Sequence, residues 1–206
     1  MARVFKYLIS LLGGFFALRL RSHCWLILFA VTLAPAARSA DILSMDIASD
    51  KGTYTMTSEV WFDATIEQVF EVYQNWGYST RFSSAIVEAR DMEPDEEGRA
   101  QFYVRNRGCI FFFCQSFERQ GYVESETNLV LRAFANPETS DFHHSNESWK
   151  FLARDGGTVV TYDLTISPKF WIPPGIGPFL IKRKLKDNGG RAVDRIEIIA
   201  QELDVE

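Results

Sequence analysis

From about residue 99 to residue 167 the chain is patterned almost continuously as strand, and a single amphipathic helix follows. In the last strand-like stretch Val160, Tyr162, Leu164 and Ile166 alternate with Thr161, Asp163 and Thr165, so one face is apolar and the other polar. Such one-sided strands specify an antiparallel sheet with one wet face. The apolar face then needs a cover. From Pro178 onward Ile181, Leu185, Ala192, Ile196, Ile199 and Leu203 recur at helical steps, which predicts a helix of about 25 residues. It is the only element long enough to cover the sheet, so the expected class is α+β.

The rest of the chain fits around that pair. Thr53–Phe62 alternates and is rich in β-branched and aromatic residues, as a strand should be. Thr65-x-x-Gln68 is a capping box ahead of Ile66, Val69, Phe70 and Tyr73, and predicts a short helix ending near Asn75-Trp76-Gly77. A turn holding Arg81 and Phe82 follows. Strands are expected at about 85–92, 99–107, 110–123, 128–135, 147–154 and 158–167, with a polar loop at Asn136–Ser145. Pro168, Pro173, Pro174 and Pro178, with Gly175 and Gly177, keep the segment before the long helix irregular. Gly189-Gly190 interrupts that helix at a propensity cost of about 1 kcal/mol each.

Residues 1–40 are a different kind of sequence. They carry five of the 22 basic residues and none of the 27 acidic ones. Cys24–Leu33 is an apolar run too short to span a bilayer easily, and small residues follow it. Ala34-x-Ala36 and Ala37-x-Ser39 both suit a signal peptidase. We therefore read 1–40 as a secretory signal, 41–52 as a linker and 53–206 as the folded domain. The domain is expected in the periplasm or outside the cell. If the signal is retained, residues 4–37 anchor the domain to the membrane instead. The remainder, 17 basic against 27 acidic residues, carries a net charge of −10. That excludes nucleic acid as a general partner, because phosphate binding needs a basic face. No Ser-His-Asp order, P-loop or G-x-G-x-x-G is present, and no cofactor is expected.

Several stretches resemble the START-like, or SRPBCC, superfamily. They are Glu59-Val60-Trp61-Phe62-Asp63-Ala64 running into Val69-Phe70, the segment Trp76 to Phe82, Trp149-Lys150-Phe151 ahead of Gly157 to Tyr162, and Pro168-Lys169-Phe170-Trp171-Ile172-Pro173-Pro174 before the long helix. They are similar to the polyketide cyclase/dehydrase and lipid transport group, near the coenzyme Q-binding START family, over residues 53–203. The resemblance implies a helix-grip fold: a curved antiparallel sheet wrapped around a long C-terminal helix, with two short helices after the first strand. It also implies a hydrophobic cavity between sheet and helix.

Such a cavity would be lined by Phe102, Phe117, Leu131, Trp149, Phe151 and Tyr162, with Trp171 at its mouth, and would suit a lipid, an isoprenoid or a polycyclic molecule. The same residues also serve as a filled core. Trp171 and Ile172 adjoin Lys182, Arg183 and Lys186, an apolar and basic corner suited to an anionic membrane surface, or an ordinary solvated helix face. Cys109 and Cys114, alone after signal removal, suit a disulfide in an oxidising compartment. In one straight strand they would lie about 16 Å apart, so bonding requires a bulge or turn, and two free thiols are the other reading. His143-His144 sit in the polar loop with diverging side chains and make no metal site. Tyr103 and Arg105 share a strand face, either the wet one or one that presents a general acid or anchor to the cavity.

The functional expectation is an exported, non-enzymatic binding module for a hydrophobic small molecule or lipid, with peripheral membrane contact. The alternatives are an aromatase/cyclase- or dehydratase-type enzyme in the same cavity, and a non-catalytic envelope interaction protein with a filled core. Oligomeric state is not legible.

Overall fold

The computed structural model describes residues 39–203 except 111–112, 127–128, 173–174 and 176. The expected signal lies outside the described residues apart from Ser39 and Ala40. Strand β1 (Asp41–Asp50) leads into β2 (Thr53–Phe62), α1 (Ile66–Gln74), a 3-10 turn (Trp76–Tyr78) and α2 (Ser79–Phe82). Strands β3 (Ile86–Met92), β4 (Ala100–Ile110), β5 (Phe113–Glu126), β6 (Val130–Ala135), β7 (Phe142–Arg154) and β8 (Gly157–Pro168) follow, and α3 (Gly177–Gln201) closes the order. The eight strands form one antiparallel sheet in the order β1-β2-β8-β7-β6-β5-β4-β3. This is the expected architecture of curved sheet and long C-terminal helix.

Two expectations need correction. Residues 41–50, read as part of a linker, form the edge strand β1, paired along its length with β2. It is mostly exposed, with Met45 and Ile47 half-buried, so its alternation is too faint to stand out. Strand β7 starts at Phe142 rather than 147. Phe142 is buried in the stretch expected as polar loop, and His143 and His144 are exposed on the strand.

Register settles which side chains share the covered face. One rung runs Ser58, Tyr162, Trp149, Leu131, and the next Met56, Leu164, Glu147, Ala133, Val123. Against these pack Val69, Phe70, Val72 and Trp76 from α1 and the turn, with Val193, Ile196, Ile199 and Ala200 from α3. Rings interlock there: Phe70 meets Phe151 edge-on at 5.3 Å, and Trp76 stacks on Phe102 at 4.3 Å. The capping box forms as read, with Thr65 Oγ1 accepting from the Gln68 amide at 3.3 Å and Gln68 Oε1 accepting from the Thr65 amide at 3.0 Å.

Helix α3 is unequal along its length. Its buried residues beyond Gly177 are Val193, Ile196, Glu197, Ile199 and Ala200, all in the C-terminal half. That half is also tied by hydrogen bonds: the Asp63 amide donates to Glu197 Oε2 at 2.8 Å, and Gln201 Nε2 donates to the Asp63 carbonyl at 2.8 Å. The N-terminal half has Leu180, Ile181 and Leu185 only half-buried, and Phe179 is 64% exposed.

Gly121 lies where β5 crosses close to β6. A Cβ built there would stand 1.9 Å from the Phe134 carbonyl oxygen and 2.8 Å from Ala135 Cα. Both obstacles are backbone and cannot swing aside. Gly121→Ala is therefore expected to destabilise the domain by about 1–3 kcal/mol, whereas Gly190→Ala, with nothing within 4 Å, should stabilise α3 by about 1 kcal/mol. Urea unfolding midpoints at constant slope measure both.

Candidate functional site

The covered face carries a polar group of three side chains among apolar neighbours. Arg119 on β5 pairs with Glu147 on β7, with side chains 12% and 8% exposed. Tyr162 on β8 donates its hydroxyl to the other Glu147 oxygen at 2.7 Å. Arg119 also reaches Ser145 Oγ at 3.4 Å. Trp149 stacks on the Tyr162 ring at 5.4 Å and Tyr73 leans on Trp149 at 5.8 Å, which walls the group with aromatic surface. Burial, then the neighbouring Glu147 charge, pushes the Tyr162 hydroxyl well above its ordinary value. Burial alone raises Tyr73.

The strand alternation puts these groups there. Arg119 shares its face with Phe117 and Val123, and Glu147 shares its face with Trp149 and Phe151. Sequence reasoning did not single out Arg119 or Glu147. The signal existed, since Glu147 lies two residues before a core Trp. It was hidden by starting β7 at 147 instead of 142.

The residues read as a cavity lining do not form a single wall. Phe102, Leu131, Trp149 and Phe151 sit in the core beneath α1, with Tyr162 packed against it. Tyr162 belongs to the polar group. Phe117 stacks on Phe170 at 5.3 Å and meets Phe142 at 5.6 Å, forming a separate three-ring cluster. That cluster holds the segment after β8 in place. Lys169 adds to this, donating Nζ to the Pro137 carbonyl and, at 2.9 Å, to the Ser140 carbonyl. Trp171 emerges beyond the anchored stretch, 77% exposed. Ile172 and Lys182 are half-buried, while Arg183 and Lys186 are exposed. Arg183 lies 3.7 Å from Asp187, a surface pair.

Arg105 and Tyr103 face the opposite, convex side. Arg105 pairs with Glu88 at 2.8 Å, and Arg90 lies over the Tyr103 ring at 4.1 Å. They contribute no acid or base to the covered face. Cys109 and Cys114 stand opposite each other in the β4–β5 register and are joined by a disulfide, with Cα atoms 4.0 Å apart. Pairing of two antiparallel strands, not a bulge in one, brings them together. Among the described residues no cluster of metal-binding side chains occurs. Two surface clefts lie away from the polar group, one at Asp95–Arg99 and Tyr122, the other between Thr65–Glu67 and Ala153–Gly157.

No family model matches the chain, and no curated protein does. Solved structures do. A STAR-related lipid transfer protein from Xanthomonas axonopodis is 13% identical with a TM-score of 0.57, covering 76% of this chain and 98% of its own. A START superfamily protein from Mycobacterium smegmatis is 15% identical with a TM-score of 0.55, covering 72% and 97%. A Streptomyces aromatase/cyclase is 14% identical with a TM-score of 0.53, covering 73% and 94%.

A buried tyrosine with a raised pKa binds its proton more tightly when folded than when unfolded. Between the ordinary tyrosine value of about 10 and the folded value, the unfolded chain alone loses the proton. Stability contributed by this preference is complete below pH 10 and declines as pH rises beyond it. The urea midpoint is therefore expected to fall between about pH 10 and 12, and Tyr162→Phe should flatten part of that decline. An identical pH slope in the variant would show that Tyr162 does not titrate with folding.

Proposed function

With a START-like helix-grip fold as the premise, we propose that the domain holds a hydrophobic small molecule or lipid between the sheet and the N-terminal half of α3. In this reading the protein is exported and works at a membrane surface. The observation that carries the proposal is the inequality of α3. Its C-terminal half is packed and hydrogen-bonded, whereas its N-terminal half buries no large side chain. A helix half with so little buried apolar area is cheap to displace. Gly189-Gly190 stands between the halves, where the backbone is least committed to helix. Displacing the N-terminal half would open the covered face toward Leu164, Ile166 and the polar group.

The polar group supplies specificity in an otherwise apolar site. A ligand hydroxyl or carbonyl would find the Tyr162 hydroxyl and the unused N–H groups of Arg119. The arrangement favours binding over catalysis. One Glu147 oxygen takes Arg119 and the other takes Tyr162. A general base needs a free lone pair near the substrate proton, and Glu147 would first have to break a buried ion pair. An aromatase/cyclase-type reaction is the second reading, favoured only by the presence of these groups on the covered face.

Trp171, Phe179 and the cations Lys182, Arg183 and Lys186 flank the moving half. Exposed rings beside cations suit an anionic interface, where each cation near the surface contributes about 1 kcal/mol.

Native mass spectrometry of protein from an exporting host, followed by organic extraction, tests the ligand. We expect a bound hydrophobic mass, and at least a roughly tenfold weaker retention, about 1.4 kcal/mol, in Tyr162→Ala. A clean apo mass for folded protein would favour the filled-core partner instead. Sedimentation with vesicles tests the surface. Lys182→Glu combined with Lys186→Glu should reduce binding to anionic vesicles by at least roughly tenfold and leave neutral vesicles unaffected. Equal loss on both would remove the electrostatic argument.

A further inference from the structure

Glu197 is buried in the packed half of α3, 6% exposed, and among the described residues no ion pair involves it. Its two oxygens accept from backbone amides, Asp63 N at 2.8 Å and Ala40 N at 2.9 Å. Two neutral N–H groups solvate a carboxylate but do not neutralise it. A buried charge without an opposite charge is costly. The missing cation can come from a bond in the chain itself.

The Ala40 nitrogen belongs to the Ser39–Ala40 peptide bond. The preceding residues, Ala37-Arg38-Ser39, place small side chains at the third and first positions before that bond, the pattern a signal peptidase reads. Of the two cleavage points the small residues allow, after Ala36 and after Ser39, only the second makes Ala40 the first residue. Hydrolysis adds water across the bond. The hydroxyl goes to the Ser39 carbonyl carbon, a hydrogen goes to the Ala40 nitrogen, and that amine takes one more proton from solvent. The atom already hydrogen-bonded to Glu197 then carries a positive charge.

We infer that Ser39–Ala40 is the processing site and that the new Ala40 α-ammonium forms a buried ion pair with Glu197. This rests on the reading that the N-terminal segment is an export signal that is removed. The pair ties the start of β1 to α3, and through Asp63 to the corner between β2 and α1. Ala40 is half-buried against the core, so the terminus is seated rather than trailing. Removal of the signal thereby completes the fold. The mature domain gains an ion pair where the precursor has only a hydrogen bond from a neutral amide.

The test starts with protein produced from the whole gene in an exporting host. Terminal sequencing should read Ala40-Asp41-Ile42. The α-amine of the native protein should react with an acylating reagent at least roughly tenfold more slowly than the same amine in urea, as expected for a group held in a hydrogen-bonded pair. Chains beginning at Ala40 and at Ser39, released from a fusion, are then compared with and without Glu197→Gln. The Ala40 start should melt several degrees higher, at about 2–4 °C per kcal/mol for a domain of this size, and the difference should vanish in Glu197→Gln. If Glu197→Gln does not fold, amine protection in the unmutated protein decides. An unprotected amine, or a melting difference that survives Glu197→Gln, overturns the ion pair. A first residue other than Ala40 overturns the processing site, and an uncut chain overturns the removal of the signal, each without bearing on the ion pair in the released chain.

Discussion

The structure depends on covering one face of an eight-stranded sheet. Every strand contributes to that face, and the elements placed to shield it are α1, the turn after it, α2 and α3. The shielding is uneven. Under α1 and the C-terminal half of α3, rings and aliphatic side chains interlock into a core in which the buried polar groups find partners, Thr158 donating to the Ala64 carbonyl at 2.8 Å and Glu197 accepting from two amides. The same face carries Arg119, Glu147, Ser145 and Tyr162, buried beside Trp149 and, through it, Tyr73 of α1.

The Arg119–Glu147 pair is not there for stability alone. Burying two charges is expensive, and apolar residues of similar volume usually serve a core as well or better. Here the cost is offset by a nearly complete set of hydrogen bonds: Glu147 is served on both oxygens, and Arg119 also reaches Ser145. Arg119 nevertheless keeps donors to spare, because a guanidinium offers five N–H groups. A rigid, buried polar group on an apolar floor would orient a mostly apolar ligand of the kind proposed.

The alternation of β2 and β8 and the spacing of α3 were plain in the sequence because each runs long enough for its period to show. The capping box at Thr65 and Gln68 was legible because its chemistry is local. What stayed hidden depended on neighbours. Strand β1 borrows its order from β2 and has little apolar alternation of its own. Phe142 reads as a loop residue among Ser140, Asp141 and two histidines until the pairing with β8 puts it in the sheet. Arg119 and Glu147 look like wet-face residues, since type alone puts charges outside; only the register shows them inside. Cys109 and Cys114 were measured along one strand, where they are far apart. They lie on two paired strands, so the relevant distance runs across a rung of the sheet.

The position of Gly189-Gly190 joins these points. Before it, α3 carries Lys182, Arg183, Lys184 and Lys186, all beyond the first turn and none of them buried. After it come Val193, Ile196, Glu197 and Ile199, which carry the packing and the hydrogen bonds. The first half is therefore held loosely and the second firmly. Both halves are one continuous helix, and the glycines lie at the boundary between them. A side chain at 189 would press on Met45 of β1, with a Cβ only 3.2 Å from its terminal methyl. The small residue there lets α3 lie close to the edge strand, and the same edge strand begins at the residue that Glu197 holds. The hydrogen bond from Ala40 to Glu197 and the close crossing at Gly189 thus both fall along β1, one at its start and the other near its middle.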